Sequence, residues 1–179
     1  MTVVKVGGSL YDHPALGPGL RAYLAALPPP VLLVAGGGGF ADAVRKLDAV
    51  HRLGEERAHW LALRALGAAA DFLAHLTGGG YRVLDAHAFA VADEARPDRL
   101  PHAWAVTTDS VAARAAVVYG AARLILLKSA AVPPGLPWAE AAARGWVDPH
   151  FPAVVAGRAF AVEALDFRRR LDAARPPGG

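Results

Sequence analysis

Short apolar runs that pass directly into glycine-rich turns are the feature that most constrains how this chain folds. The first run, Thr2–Val6, leads into Gly7 and Gly8, and the second, Val31–Ala35, leads into four consecutive glycines. Runs that are largely apolar on both faces are typical of strands in a parallel sheet that helices cover on two sides. Helical stretches follow these runs, so the pattern predicts an α/β protein, a three-layer αβα sandwich with a mainly parallel sheet.

The hydrophobic pattern places further elements along the chain. Predicted strands, beyond the first two, are 81–84, 103–106, 123–127 and 153–156. Predicted helices are 16–27, 41–53, 55–76, 109–119, 137–144 and 162–174, and the tail 175–179 is expected to be frayed. Because no repeat or change of composition divides the sequence, residues 1–179 are expected to form a single domain.

Composition excludes several classes of protein. The 179 residues are 54% hydrophobic and contain no cysteine, which excludes general disorder, disulfide frameworks and thiolate metal sites. The net charge of +3 comes from scattered arginines, so no nucleic-acid partner is expected. No apolar run approaches the roughly 20 residues that span a bilayer, and the N-terminus does not read as a signal peptide. A cytoplasmic enzyme or binding protein, without a membrane partner or a protein-bound metal, is therefore predicted.

Lys5 is the first residue with chemical potential, because it is a charge inside an apolar run. An unpaired charge in a buried strand is costly. Gly7, Gly8 and Ser9 follow it, and the N–H groups of such a loop cradle phosphate oxygens while the ammonium supplies a positive charge. The alternative is a strand lysine followed by an ordinary turn, and the sequence leaves both interpretations open.

Gly36, Gly37, Gly38 and Gly39 separate the second apolar run from a predicted helix. Without side chains, this turn lets a ligand touch the backbone and reach a helix N-terminus. The glycines also match the loose dinucleotide fingerprint G-x-G-x-x-A, which normally follows the first strand of its fold. A phosphate-bearing substrate held by both glycine turns explains more of the sequence. No Walker A motif, serine-hydrolase elbow or zinc-protease motif occurs.

Thr108 and Asp109 open a later predicted helix. One interpretation makes Asp109 an N-cap. The other places its carboxylate at the carboxyl edge of the sheet, where it orients Lys5 or helps to hold a magnesium–nucleotide complex. The sequence alone does not separate these two roles.

Four segments, taken in order, resemble the amino acid kinase family. They are 3–10 (VVKVGGSL), 31–45 (VLLVAGGGGFADAVR), 107–116 (TTDSVAARAA) and 123–129 (RLILLKS). The resemblance implies an αβα fold and transfer of the γ-phosphoryl group of ATP, with Mg²⁺, to a carboxylate, carbamate or phosphate. It also implies a homodimer. Three segments, 36–48, 101–110 and 147–152, are most similar to archaeal members that phosphorylate an aminomethylfuran phosphate in methanofuran biosynthesis.

The resemblance assigns roles to individual residues. Lys5 matches the lysine that stabilises the transferring phosphoryl group, and Asp109 matches the aspartate that orients the active-site lysines. Lys128 either replaces a lysine that other members supply from further along the chain or is a surface lysine. The implied nucleotide-binding residues are Gly7, Gly8 and Ser9. The implied acceptor-binding residues are Gly36, Gly37, Gly38, Gly39 and Thr108.

The chain departs from the family after the predicted strand 123–127. The family continues with S/T-D-V-D-G, whereas this chain reads KSAAVPP, so both acids and the glycine are missing and the nucleotide-binding part is expected to be shortened. Three functions therefore remain open: a kinase for a furan phosphate, a non-catalytic protein that binds a phosphorylated ligand, and a kinase for another small phosphate or carboxylate. If the acceptor carries an amine, Asp42, Asp71 and Asp85 are the candidate partners.

Overall fold

The computed structural model describes residues 1–174, which form a parallel sheet between two layers of helices. The five strands lie in the order β3-β2-β1-β4-β5, and every neighbouring pair is parallel. This confirms the predicted α/β architecture. The strands are β1 (Thr2–Val6), β2 (Val31–Ala35), β3 (Arg82–Val83), β4 (Arg123–Lys128) and β5 (Ala161–Asp166).

Residues 1–174 contain eight α-helices, most of which pack on the two faces of the sheet. The helices are α1 (Leu16–Ala25), α2 (Gly38–His51), α3 (Glu55–Leu76), α4 (Ala86–Asp93), α5 (Thr108–Val118), α6 (Trp138–Ala143), α7 (Phe151–Val155) and α8 (Phe167–Ala173). One layer is built on α1 and α8 with the C-terminal part of α3, and the other on α5, α4 and α7 with the middle of α3. None of these helices is both long and apolar enough to cross a membrane.

Strand alternation decides which helical layer each lysine faces. In β1, Val3 packs against the α5 layer and Val4 against the α1 layer, so Lys5, two residues after Val3, faces the α5 layer. In β4, Leu126 also packs on the α5 side, and Lys128 follows it by two residues. Because the parallel register pairs Lys5 with Leu126, both lysines emerge on one face of adjacent strands.

Several sequence predictions of secondary structure are wrong. Segment 103–106 is a turn closed by a hydrogen bond from Val106 N–H to the Ala103 carbonyl, not a strand. Segment 153–156 lies mostly in α7, because an apolar run this short does not separate strand from helix. The predicted helix 162–174 contains β5 and only then α8. Alanine, glutamate and leucine favour helix locally, but pairing with β4 along six residues overrides that preference.

Other boundaries also differ from the prediction. The structure adds α4, which the sequence pattern did not indicate, and α2 begins at Gly38 instead of at residue 41. The predicted strands β1 and β2 and helix α3 have the predicted ends. The tail 175–179 lies outside the described residues.

One carboxylate, that of Asp148, fixes the start of α5. It accepts hydrogen bonds from the backbone N–H and the hydroxyl of both Thr107 and Ser110. It also accepts bonds from the backbone N–H groups of His150 and Phe151, at the start of α7. The first N–H groups of a helix have no partner inside the helix, and here a single buried side chain supplies partners for two helices.

Replacing Asp148 should therefore destabilise the protein strongly. Asp148→Ala leaves several buried donors without partners, and we expect the free energy of unfolding to fall by at least about 2 kcal/mol. Asp71→Ala, on an exposed position of α3, is the matched control and should change it by less than about 0.5 kcal/mol. Urea unfolding measures both, and equal stabilities of the two variants would contradict this role of Asp148.

Candidate functional site

A lysine–aspartate–lysine group lies at the carboxyl edge of the sheet, where β1, β4 and the N-terminus of α5 meet. Lys5 Nζ lies 2.8 Å from one carboxylate oxygen of Asp109, at ion-pair distance but without the geometry of a hydrogen bond. Lys128 Nζ donates a hydrogen bond of 2.7 Å to the other oxygen. The N-cap position of α5 is Thr107, so Asp109 is a first-turn residue and not the cap.

This group carries an excess positive charge in a buried place. The side chains of Lys5 and Asp109 are 7% and 5% exposed. Burial raises the pKa of Asp109, but the charges of Lys5 and Lys128 outweigh it and hold that pKa below its usual value. Burial and the charge of Lys5 lower the pKa of Lys128. With both lysines charged the group has a net charge of +1, and a buried excess charge favours a bound anion.

The two glycine turns touch each other directly beside Lys5. A Cβ atom on Gly8 would lie 2.1 Å from Gly38 N, and one on Gly36 would lie 2.2 Å from Gly8 N. Tyr11 Oη donates a hydrogen bond of 2.9 Å to the Gly36 carbonyl and holds this turn in place. Side chains are excluded here by backbone atoms, so the absence of side chains is what lets the two turns meet.

One cavity, which we call the Trp146 cavity, opens from the first glycine turn toward the end of β4. It has a volume of about 180 Å³, and its walls include both lysines. Ser9 and Ser129 line its wall and are hydrogen-bonded to each other, with their hydroxyl oxygens 2.7 Å apart. Its lining residues are Lys5, Gly7, Gly8, Ser9, Lys128, Ser129, Ala130, Val132, Gly145 and Trp146.

A second cavity, the Trp104 cavity, lies on the other side of Lys5 and Gly8, which line both. Its volume is about 210 Å³, and its walls are mostly apolar side chains of α3, α5 and the turn before α5. Arg45 stands at its edge, with the guanidinium 4.9 Å from the centre of the Trp104 ring. Its polar lining residues are Lys5, Arg45, His59, Trp104, Thr107 and Thr108.

The structure brings most of the sequence-predicted site residues together. Lys5, Asp109 and Lys128 are in direct contact, and Thr108 lines the Trp104 cavity. Gly7, Gly8 and Ser9 line the Trp146 cavity, and Gly37 and Gly38 line the Trp104 cavity. Gly36 supports the turn by its contact with Gly8, whereas Gly39 lies in the first turn of α2 with no neighbour near its missing side chain.

The three aspartates suggested as partners of a substrate amine do not line the Trp104 cavity. Asp42 is exposed and pairs with Arg45 at 3.3 Å. Asp85 caps α4 through the backbone N–H of Ala88, and Asp71 is exposed on α3. The structure therefore does not support a role for these three carboxylates in the cavity that the glycine turns open into, and their pairing with an amine stays a prediction.

His59 is a site residue that the sequence analysis missed. It is only 9% exposed, lines the Trp104 cavity, and makes no side-chain hydrogen bond to any of residues 1–174. Its ring stacks on that of His102, with the centroids 4.7 Å apart and the planes 20° from parallel. The two ring nitrogens of His102 face Glu56 and Glu94 at 2.7 and 2.8 Å.

The two stacked histidines have opposite pKa shifts. Burial, and then the positive charge of His102, lower the pKa of His59 to about 4. Burial would lower the pKa of His102 too, but hydrogen bonds to Glu56 and Glu94 outweigh it and raise that pKa. The two shifts favour the neutral form of His59, which is the ring in the cavity, and the protonated form of His102.

Comparison with solved structures shows which fold this is. A crystal structure of uridylate kinase from Archaeoglobus fulgidus matches with a TM-score of 0.64, 17% identity, and coverage of 96% of each chain. A crystal structure of UMP kinase from Ureaplasma parvum has a TM-score of 0.46 and 16% identity, covering 92% of this chain and 89% of that one. No family model and no curated protein matches the sequence. The first of these likenesses shows a shared fold, since this chain has the fold of that uridylate kinase, in agreement with the predicted three-layer αβα sandwich.

The contact between the glycine turns predicts a sharp contrast between two glycine substitutions. In Gly8→Ala the new methyl group meets backbone of the opposite turn, so we expect a loss of about 1–3 kcal/mol in the free energy of unfolding. Gly39→Ala meets nothing within 4 Å and sits in a helix, so its stability should be unchanged or slightly higher. Chemical denaturation of both variants tests this, and a Gly8→Ala protein as stable as Gly39→Ala would refute the close contact.

The histidine stack predicts a pH dependence with a defined sign. Because the pKa of His59 is lower in the folded than in the unfolded chain, the unfolded state binds more protons between about pH 4 and 6.5. The contribution of His59 to the free energy of unfolding therefore falls as pH decreases through this window. His102 has the opposite sign: its contribution is complete below about pH 6.5 and is lost as pH rises through its raised pKa.

Ring-nitrogen NMR titration of the two histidines measures these shifts directly. His59 should titrate near pH 4 and His102 above the usual histidine range. Urea unfolding at pH 6.5 and 4.5 provides a second measurement, in which His59→Phe should lose less stability on acidification than the wild type. A His59 signal that titrates near pH 6.5 would contradict the stacked arrangement.

Proposed function

We propose that this protein is an ATP-dependent phosphotransferase that moves a phosphoryl group onto a small phosphomonoester. One observation carries the proposal: the buried lysine–aspartate–lysine group, with its excess positive charge, lies at the junction of two cavities that share Lys5 and Gly8. Phosphoryl transfer needs two anionic groups held in line and the charge between them neutralised. The position of Lys5 meets the second requirement, and the paired cavities meet the first.

The Trp146 cavity is the proposed donor side. Two lysines, two serine hydroxyls and the first glycine turn, which has no side chains, suit the phosphates of a nucleotide. ATP, when bound, supplies the phosphoryl group. Within residues 1–174 no carboxylate lines this cavity, and the carboxylate of Asp109 is already paired with both lysines. Because Mg²⁺ is usually bound through protein carboxylates, these residues do not fit the usual ligation of that ion. Phosphate oxygens and water would have to hold that ion.

The Trp104 cavity is the proposed acceptor side. Its volume of about 210 Å³ is below the roughly 300–1,000 Å³ of pockets for drug-sized ligands, which favours a small acceptor. Lys5 and the N-terminus of α2 offer positive charge and N–H groups to a phosphate, and the apolar walls suit a flat ring. We propose an aminomethylfuran phosphate as this acceptor, because the resemblance of segments 36–48, 101–110 and 147–152 supports that choice.

The residues of the site explain why no general base is needed. A phosphomonoester is ionised at neutral pH, since its second pKa is about 6, so the attacking oxygen needs no proton removed. Lys5 neutralises charge on the moving group, and Asp109 keeps both ammonium groups aimed at it. In the proposed step a bond forms from the acceptor phosphate oxygen to the γ-phosphorus, and the bond from that phosphorus to the bridging oxygen of ADP breaks.

A second function, binding of a phosphorylated ligand without transfer, is favoured by two observations. The residues after β4 lack the acids of the amino acid kinase pattern, and the Trp146 cavity is only about 180 Å³. Isothermal titration separates the two functions. A kinase binds Mg-ATP and consumes it with the furan phosphate, whereas a binding protein takes up the furan phosphate and leaves ATP intact.

The homodimer and the cytoplasmic location also stay predictions.

Lys5→Ala tests the catalytic role of the shared lysine. Losing one preorganised electrostatic donor costs about 10²–10³ in rate, and we expect at least that loss in ADP formation with the furan phosphate. The variant should remain folded, because Asp109 keeps Lys128 as its partner.

Lys46→Ala is the matched control, since Lys46 is exposed on α2 outside both cavities. Its rate should equal that of the wild type. A Lys5→Ala protein with a near-normal rate would exclude the proposed role, and wild-type protein that forms no ADP with the furan phosphate would exclude this acceptor.

A further inference from the structure

The part of the Trp104 cavity formed by α3 contains an unusual polar group. His59 is nine-tenths buried among apolar residues, yet its ring makes no hydrogen bond within residues 1–174. His59 also lines a second, smaller pocket, and His102 is another of the residues that line it. The ring nitrogens of His59 are not among the fully buried atoms without a partner in residues 1–174, so they remain accessible to a ligand or water that supplies a hydrogen bond.

The neighbours of His59 keep its ring uncharged. His102 stacks on one face, and both of its ring nitrogens point at carboxylates, so both must donate and His102 is an imidazolium. The charged groups around this stack are Glu56 and Glu94, with Arg99 reaching Glu94 from the solvent side at 3.3 Å. A cation stacked on His59 opposes its protonation.

A neutral imidazole always has one bare nitrogen, which accepts a hydrogen bond. Within residues 1–174 no carboxylate lines the Trp104 cavity. An amine in this cavity would therefore find its nitrogen acceptor in the uncharged ring of His59. The charged lining residues, Lys5 and Arg45, suit a phosphate and repel an amine. A substrate that carries both groups would therefore place its phosphate at Lys5 and its amine at His59.

We propose that His59 binds the amino group of the acceptor through its bare ring nitrogen, and that it thereby selects amine-bearing phosphomonoesters. This role rests on the proposed function, because it takes the Trp104 cavity as the acceptor site. It also replaces the aspartates as the partner of the amine. His102 then acts as a positioning residue that holds the His59 ring and keeps it neutral.

The test compares two ligands that differ only in the amine. Isothermal titration without nucleotide measures the affinity of [5-(aminomethyl)furan-3-yl]methyl phosphate and of its 5-methyl counterpart. A hydrogen bond to a charged group predicts that the wild type binds the amine about 10- to 100-fold more tightly. His59→Phe keeps an aromatic ring for stacking but removes both nitrogens, so this preference should disappear.

His87→Phe is the matched control. His87 contacts the same aromatic cluster through Trp60, at a centroid distance of 5.7 Å, but does not line the Trp104 cavity. It should keep the wild-type preference. Equal affinity of the wild type for the two ligands, or a preference that survives in His59→Phe, would overturn the role of His59.

Phosphoryl transfer, measured separately as ADP formation, distinguishes the two proposals. Transfer to both ligands with no preference in binding would leave the kinase in place and refute the selection by His59. A preference in binding without any transfer would support His59 and refute the kinase. If neither ligand binds, the Trp104 cavity is not a site for this acceptor, and the role of His59 is refuted as well.

Discussion

Two lysines share one buried carboxylate, and the charge of the candidate site depends on keeping both of them beside it. An ammonium at the end of a buried strand is stable only beside a negative charge, and Asp109 provides one charge for two ammonium groups. The carboxylate is in turn fixed by the start of α5, which Asp148 holds through the backbone of two helices. The excess positive charge is an intrinsic attraction for anions at this edge of the sheet.

Backbone geometry, not side-chain flexibility, sets the distance between the two cavities. Gly8 and Gly38 touch, so the turns after β1 and β2 cannot approach further or slide past each other without a clash. A reaction that depends on alignment of two anions gains from such a fixed spacing, because little motion remains to be restricted when the ligands bind. Lys5, the lysine proposed to neutralise the transferring charge, stands beside this contact and lines both cavities.

The sequence indicates this edge of the sheet but not the whole site. Parallel strands bring their carboxyl ends together, so Lys5 and the two glycine turns could be placed from their positions after apolar runs. Lys128 could not be placed beside Lys5 in this way, because its position relative to Lys5 depends on the register between β1 and β4. His59 reads as one residue of a long amphipathic helix, and its neighbour His102 lies in a bend far along the chain, just before the wrongly predicted strand 103–106. β5 was missed because its residues favour helix when considered alone.

The two walls of the Trp104 cavity have different origins. The glycine turns and the two lysines come from the strand ends and Asp109 from the start of α5, while α3 and the turn that carries Trp104 contribute no side chain to that charged group. Substitutions along α3 would change the shape of this cavity while the lysine–aspartate–lysine group stays intact. Under the proposed function, a lineage could therefore acquire a different acceptor through changes in one helix and keep the same phosphoryl transfer.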